Sequence, residues 1–110
     1  LEAHMIKPGT HITAMGSDAQ EKCELSVDIL EVADIVSTDS IDQAISRGEI
    51  SHALRSRKIK KDNIVELGQI ILDPKTGRKS DSEITVSDLS GVAIQDIMIA
   101  KAITKILEPK

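Results

Sequence analysis

"GTHITAMGSDAQEK" (residues 9–22) decides how the rest of the chain is read. "HITAM" (11–15) is a short β-branched and apolar run that suits a buried strand. It is entered through the Pro8-Gly9 turn signal and closed by Gly16-Ser17. Just beyond stands Asp18, with Lys22 following at i+4. A carboxylate past the carboxyl end of a strand can meet a bound ligand and transfer a proton, and the lysine can neutralise a phosphate or pair with that carboxylate. On spacing alone, an ordinary turn aspartate ahead of a solvated helix is the plainer reading.

Downstream, Ser26 is a plausible N-cap for a helix over "VDILEVA" (27–33), with Asp28 favouring the helix dipole in the first turn. "DIVSTD" (34–39) predicts a second strand. Ser40 then caps a helix "IDQAISR" that stops at Gly48, and a helix-like "EISHALRSR" follows. "IVELGQIIL" (64–72) fits helix and strand equally, because Gly68 weakens both. "DPKTGRKSDSE" (73–83) reads as a loop. "EITVSDL" (83–89) alternates Ile84 and Val86 with polar neighbours and ends in Ser90-Gly91. "VAIQDIMIAKAITKIL" (92–107) is the longest helix, with Lys101, Thr104, Lys105 and Glu108 in one narrow polar stripe. Its remaining arc is apolar and wants covering on more than one side, so an oligomer or a further domain is expected to pack there.

Strand, helix, strand, helices, strand, helix predicts an α/β fold with a short, mainly parallel, three-strand sheet and flanking helices. In such sheets ligands sit beyond the carboxyl ends of the strands, where "AMGSD", "STDS" and "DLSG" all fall. The 110 residues suit one modest domain.

Composition narrows the function classes. With 14 Lys+Arg against 18 Asp+Glu, the net charge of -4 gives no global attraction to nucleic acid or anionic membrane. The chain contains no Phe, Tyr or Trp, so it offers no stacking platform for bases. Cys23 is the single cysteine, which excludes an intramolecular disulfide and a zinc-finger set and suggests a reducing, cytoplasmic setting. No apolar run approaches the roughly 20 residues that cross a bilayer. Neither nucleic acid nor membrane is therefore expected as a partner.

Most isolated motifs are weak. The six glycines never form GxGxxG, so the dinucleotide fingerprint is missing. "TGRKS" ends like a P-loop, but Leu72 and Arg78 occupy the positions of the first glycine and the lysine. Glu49 and His52 have the i, i+3 spacing of helix-borne metal ligands, yet no second pair exists, and an exposed helix face is the preferred reading. No metal site is expected. His4 and His11 read as locally hydrogen-bonded histidines. The basic run Arg55, Arg57, Lys58, Lys60, Lys61 reads as a solvated face.

Longer blocks carry more. "IKPGTHITAMGSDAQEKCEL", "ADIVSTDSIDQAISRGEISHAL", "ELGQIIL" and "GRKSDSEITVSDLSGVAIQD" resemble, in order and spacing, the ornithine cyclodeaminase/mu-crystallin group of NAD(P)-dependent enzymes. Even "LEAHM" is similar to the segment preceding "KPGTHI" in that group. The resemblance implies a partial Rossmann-like three-layer fold, with residues 1–110 matching the later half of the NAD-binding domain plus the returning C-terminal helix. It further implies a missing N-terminal segment that holds the glycine fingerprint and substrate-gripping residues. Position by position, Asp18 matches the catalytic aspartate, which handles protons and the substrate amine. Ile12, Thr13, Ala14 and Met15 match the strand end lining the cofactor, and Lys22 a cofactor-contacting lysine. Leu89 and Ser90 match the segment near nicotinamide and substrate; many members have serine where Leu89 stands.

The implied chemistry is hydride exchange between the α-carbon of a small amino acid and NAD or NADP, by a cyclodeaminase, dehydrogenase or ketimine reductase. A chain with half of that site is expected to be inactive alone. The other reading is a non-catalytic α/β module that has turned its apolar helix and sheet edge into a homo-oligomer interface, a dimer in the simplest case.

Overall fold

The computed structural model describes residues 1–16 and 21–107. Four strands, β1 (His11–Ala14), β2 (Ile35–Thr38), β3 (Ile64–Glu66) and β4 (Thr85–Asp88), form one sheet in the order β1-β4-β2-β3. All three pairings are parallel. The helices are α1 (Val27–Val32), α2 (Ile41–Ala44), α3 (Gly48–Arg55), α4 (Leu67–Leu72) and α5 (Ala93–Leu107). The expected α/β architecture is thus present, with a fourth strand added.

That strand resolves the ambiguity of residues 64–72. Ile64 and Val65 are β-branched and form β3 beside β2, whereas "LGQIIL" becomes α4. The run was equivocal because it is two elements joined without a linker. A second departure concerns Gly48, which was expected to stop a helix over 41–47. Instead α2 ends at Ala44 and Gly48 opens α3 with φ +83°. A third concerns β4, whose residues are all buried despite the alternation of Ile84 and Val86 with polar neighbours. Strands flank β4 on both edges, so its small polar side chains lie under cover as parallel sheets require.

The two sheet faces differ. Ala14, Val36, Ile64 and Val86 meet Leu25, Ile29 and Leu30, and Ile50 and Ala53 of α3, in the hydrophobic core. The opposite face carries His11, Ser37, Thr85 and Ser87, which share hydrogen bonds: His11 Nδ1 to Thr85 Oγ1 at 2.7 Å and Ser37 Oγ to Ser87 Oγ at 2.7 Å. Leu67 and Ile70 of α4 cover part of that face, leaving a cavity of about 320 Å³ against the sheet. The guanidinium of Arg78 from "TGRKS" donates to the carbonyls of Gly9, Thr10 and Glu83 and fastens the starts of β1 and β4. In the basic run, Lys58 pairs with Asp28 and Glu31 of α1 at 3.1 and 2.7 Å. No residue of α5 is buried. No helix among the described residues is long and apolar enough to cross a membrane.

Candidate functional site at the carboxyl edge of the sheet

The last cross-strand row of the sheet is Ala14, Asp88, Thr38 and Glu66. Its two carboxylates each meet the first turn of a helix. Glu66 Oε1 accepts the Ile41 N–H of α2 at 2.9 Å, and Asp88 Oδ2 accepts the Ile50 N–H of α3 at 2.8 Å. The strand ends thereby satisfy donors that a helix cannot satisfy itself. Ser40, predicted as a cap, takes the N-cap position of α2 without a side-chain bond to it. Ser26 does the same for α1.

Asp88 is almost fully buried. Burial pushes its carboxyl up to about 6, with the negative charges of Glu49 and Asp39 adding to the rise and the N–H groups of Ile50 and Glu49 opposing it. Gly48 lies directly against this carboxylate: a Cβ there would fall 2.6 Å from Asp88 Oδ2.

Beyond the row, Asp39 organises the connection from β4 to α5. Its Oδ2 accepts the Gly91 N–H at 2.8 Å and its Oδ1 the Ser40 N–H at 3.0 Å. The Ser90 hydroxyl lies between Asp39 Oδ1 (3.5 Å) and Gln43 Oε1 (3.3 Å). Gly91 takes φ +78°, a conformation that glycine adopts without a Cβ penalty.

The β1–β4 pairing is carried one step beyond the strands at this edge: the Leu89 N–H donates to the Ala14 carbonyl at 2.9 Å. This brings two of the predicted cofactor-lining segments together. Met15 is 72 % exposed at the edge. Thr13 faces the open side of the sheet and bonds to His11 Nε2 at 3.1 Å, whereas Ile12 packs against the hydrophobic core. Lys22 is exposed, directly before Cys23. Asp18 lies outside the described residues.

Glu49 corrects the expectation of an exposed helix face. It is 1 % exposed and turned inward. Its Oε1 accepts the Glu24 N–H at 2.7 Å, and its Oε2 accepts the Leu25 N–H at 3.3 Å and the Cys23 thiol at 2.8 Å. Partial burial of the sulfur, followed by the hydrogen bond to Glu49 and its charge, pushes the Cys23 thiol up to about 11. His52, three residues on, lies against Arg55 at 3.3 Å. Among the described residues no group of His, Cys, Asp and Glu is placed to hold a metal ion. Sequence reasoning put the segments of Asp39 and Asp88 at this edge and noted Glu49 beside His52, but gave none of the three its bracing role. The available signal was positional, since each lies at a strand's carboxyl end or in a helix's first turn.

The residues at this edge would meet the nicotinamide end of a dinucleotide. Met15 and Leu89 offer apolar contact, and open space lies over Gly91, but the sequence contains no GxGxxG loop to cradle a pyrophosphate.

The ornithine cyclodeaminase/mu-crystallin family model matches residues 1–110. An uncharacterized cyclodeaminase of Sinorhizobium fredii is 43% identical over 101 residues, covering 91% of this chain and 30% of that protein. Iminosuccinate reductase of Paracoccus denitrificans, solved in complex with NAD+, superposes with a TM-score of 0.87 at 37% identity, covering 96% of this chain and 32% of that one. An archaeal alanine dehydrogenase dimer with bound NAD superposes with a TM-score of 0.85 at 38% identity, covering 97% and 35%. The chain spans about a third of the length of these relatives. With the family model matched over its whole given length, the chain belongs to the ornithine cyclodeaminase/mu-crystallin family.

Proposed function

We propose that residues 1–110 form one wall of an NAD(P)-dependent reductase or cyclodeaminase site for a small amino or imino acid, as the later half of a nucleotide-binding domain followed by a returning helix. The observation that carries this reading is the paired end of β1 and β4, where Ala14 lies opposite Asp88 and the Leu89 N–H donates to the Ala14 C=O at 2.9 Å. Ile12, Thr13, Ala14, Met15 and Leu89 are assigned to the cofactor, with Ile12 contributing through its backbone. Lys22 is assigned to the cofactor's charged groups, and Ser90 and Asp18 to the substrate. Asp18 is the proton-handling group, holding or releasing a proton at the substrate nitrogen. When bound, the nicotinamide supplies the hydride chemistry; this chain's residues orient and exclude water. Catalysis requires both reactants held together, so the chain alone is expected to bind cofactor weakly and to turn nothing over. A cytoplasmic setting belongs to the same proposal.

An amide NMR titration of the chain with NADH tests this. Saturable shifts clustered at Thr13 to Lys22 and Leu89 to Gly91 are expected. Silence up to about millimolar NADH, roughly -4 kcal/mol of binding, overturns the cofactor assignment.

A second reading is favoured by one observation, the absence of any buried residue on α5. On that reading the chain is a self-associating α/β module, with α5 as the interface between copies.

A further inference from the structure

We infer that Glu49 is a positioning residue for the rim of the site: it fixes the later part of the β1–α1 connection at Cys23, Glu24 and Leu25, and with it the placement of the adjacent Lys22. The inference rests on the cofactor reading of that edge. An acidic residue in a helix's first turn ordinarily acts on the dipole from an exposed position. Glu49 has given that position up, since Asp88 already serves the first turn of α3 through Ile50. Both oxygens of Glu49 instead receive donors from Cys23, Glu24 and Leu25, the residues directly after Lys22. Burying a carboxylate is costly without such bonds.

The other end of the connection is tied in as well. A Cβ at Gly16 would collide with the Glu24 carboxylate. Glu24 is thus held by its backbone on Glu49 while its side chain packs against the residue that leaves β1. Asp88, Glu49 and Glu24 thereby link the end of β4 to both ends of the β1–α1 connection.

The chain itself serves for the test, with its single cysteine as reporter. In Glu49→Gln the Cys23 thiol loses a hydrogen-bonded charge, so the midpoint of its alkylation profile moves down from about 11 toward the ordinary thiol range, leaving the part due to burial. Alkylation at a fixed, mildly alkaline pH then accelerates several-fold, and the amide resonances of Lys22 to Leu25 shift while those of β2 and β3 stay in place. A folded Glu49→Gln chain with an unchanged alkylation profile and an unchanged Lys22 amide overturns the inference. Should that variant fail to fold, Glu49→Asp, shorter by one methylene, goes through the same two measurements. NADH then separates the inference from the reading beneath it. Loss of the NADH response at Lys22 in the variant supports both, and a response at wild-type affinity overturns the positioning role. A wild-type chain silent to NADH, with the thiol and amide changes present, removes the cofactor reading and leaves the placement by Glu49 standing.

Discussion

Asp88 Oδ2 accepts the Ile50 N–H at 2.8 Å, so the end of β4 holds the start of α3. Many parallel sheets leave the carboxyl edge to loops. Here the edge is braced from within: Asp88 serves α3, Glu66 serves α2, and Asp39 holds the start of the connection to α5. A rigid edge of this kind suits a site whose chemistry depends on placing two reactants together.

The first prediction concerns pH. The Asp88 carboxyl is raised from 3.8 to about 6, so the folded chain binds a proton that the unfolded chain has released. The stabilisation is fully present below the unfolded value and is lost as pH rises through about 6. Denaturant unfolding between those two values should show the wild type losing stability relative to Asp88→Asn as pH rises. A wild-type-minus-variant difference that stays flat across this window rules out Asp88 as the titrating group.

Gly48→Ala is predicted to be among the most damaging single changes. Alanine at φ +83° is in the left-handed region, and its Cβ would lie 2.6 Å from Asp88 Oδ2. The backbone penalty and the loss of a charge-assisted hydrogen bond together amount to roughly 3 to 5 kcal/mol. Urea denaturation measures the loss, and a cost of only about 1–2 kcal/mol, that of the backbone alone, would show that the carboxylate can move aside.

Much of the fold was legible in the sequence because its strands and turns are local signals. "HITA", "IVST" and "TVSD" announce themselves by β-branched residues closed by small or acidic ones. What was not legible was three-dimensional neighbourhood. The alternation in β4 did not say where its polar residues go: Thr85 and Ser87 are buried and Ser87 finds a hydroxyl partner in Ser37 on the adjacent strand. Glu49 drew notice as half of a helical pair with His52, when its partners lie 24 to 26 residues away in sequence. Gly48 carried a correct turn signal with its direction reversed: its left-handed backbone opens α3 beside the Asp88 carboxylate instead of closing α2. The site residues assigned by resemblance converge only in part: Ala14 and Leu89 meet, whereas Ile12 turns to the core.

Asp39→Ala should loosen the β4–α5 connection without unfolding the sheet. It removes acceptors from Gly91 N–H and Ser40 N–H, each worth about 1.5–3 kcal/mol when the acceptor is charged. Hydrogen exchange at those two amides is expected to quicken while the amides of Val36 and Val86 keep their protection. Uniform acceleration across the sheet would instead mean that Asp39 supports the whole fold.

The last prediction addresses α5. Met98, Ile99, Ala102, Ile103, Ile106 and Leu107 recur at i, i+1, i+4, i+5, i+8 and i+9, which places them on one helical face, with Lys101, Thr104 and Lys105 opposite. The large members of that face are all more than half exposed. Full burial of each such side chain gains about 1.5–3 kcal/mol, so a second copy laid against this face has enough to gain to offset the cost of association. Sedimentation equilibrium should give a mass above the 11.9 kDa of one chain. The double variant Ile99→Lys, Ile103→Lys should return the monomer mass with unchanged circular dichroism, because neither side chain contributes to the core. A wild-type chain that stays monomeric at high concentration overturns the self-associating reading. It would also show that the chain tolerates this apolar face in water, and would leave the proposed cofactor wall as the better account of what the carboxyl edge is for.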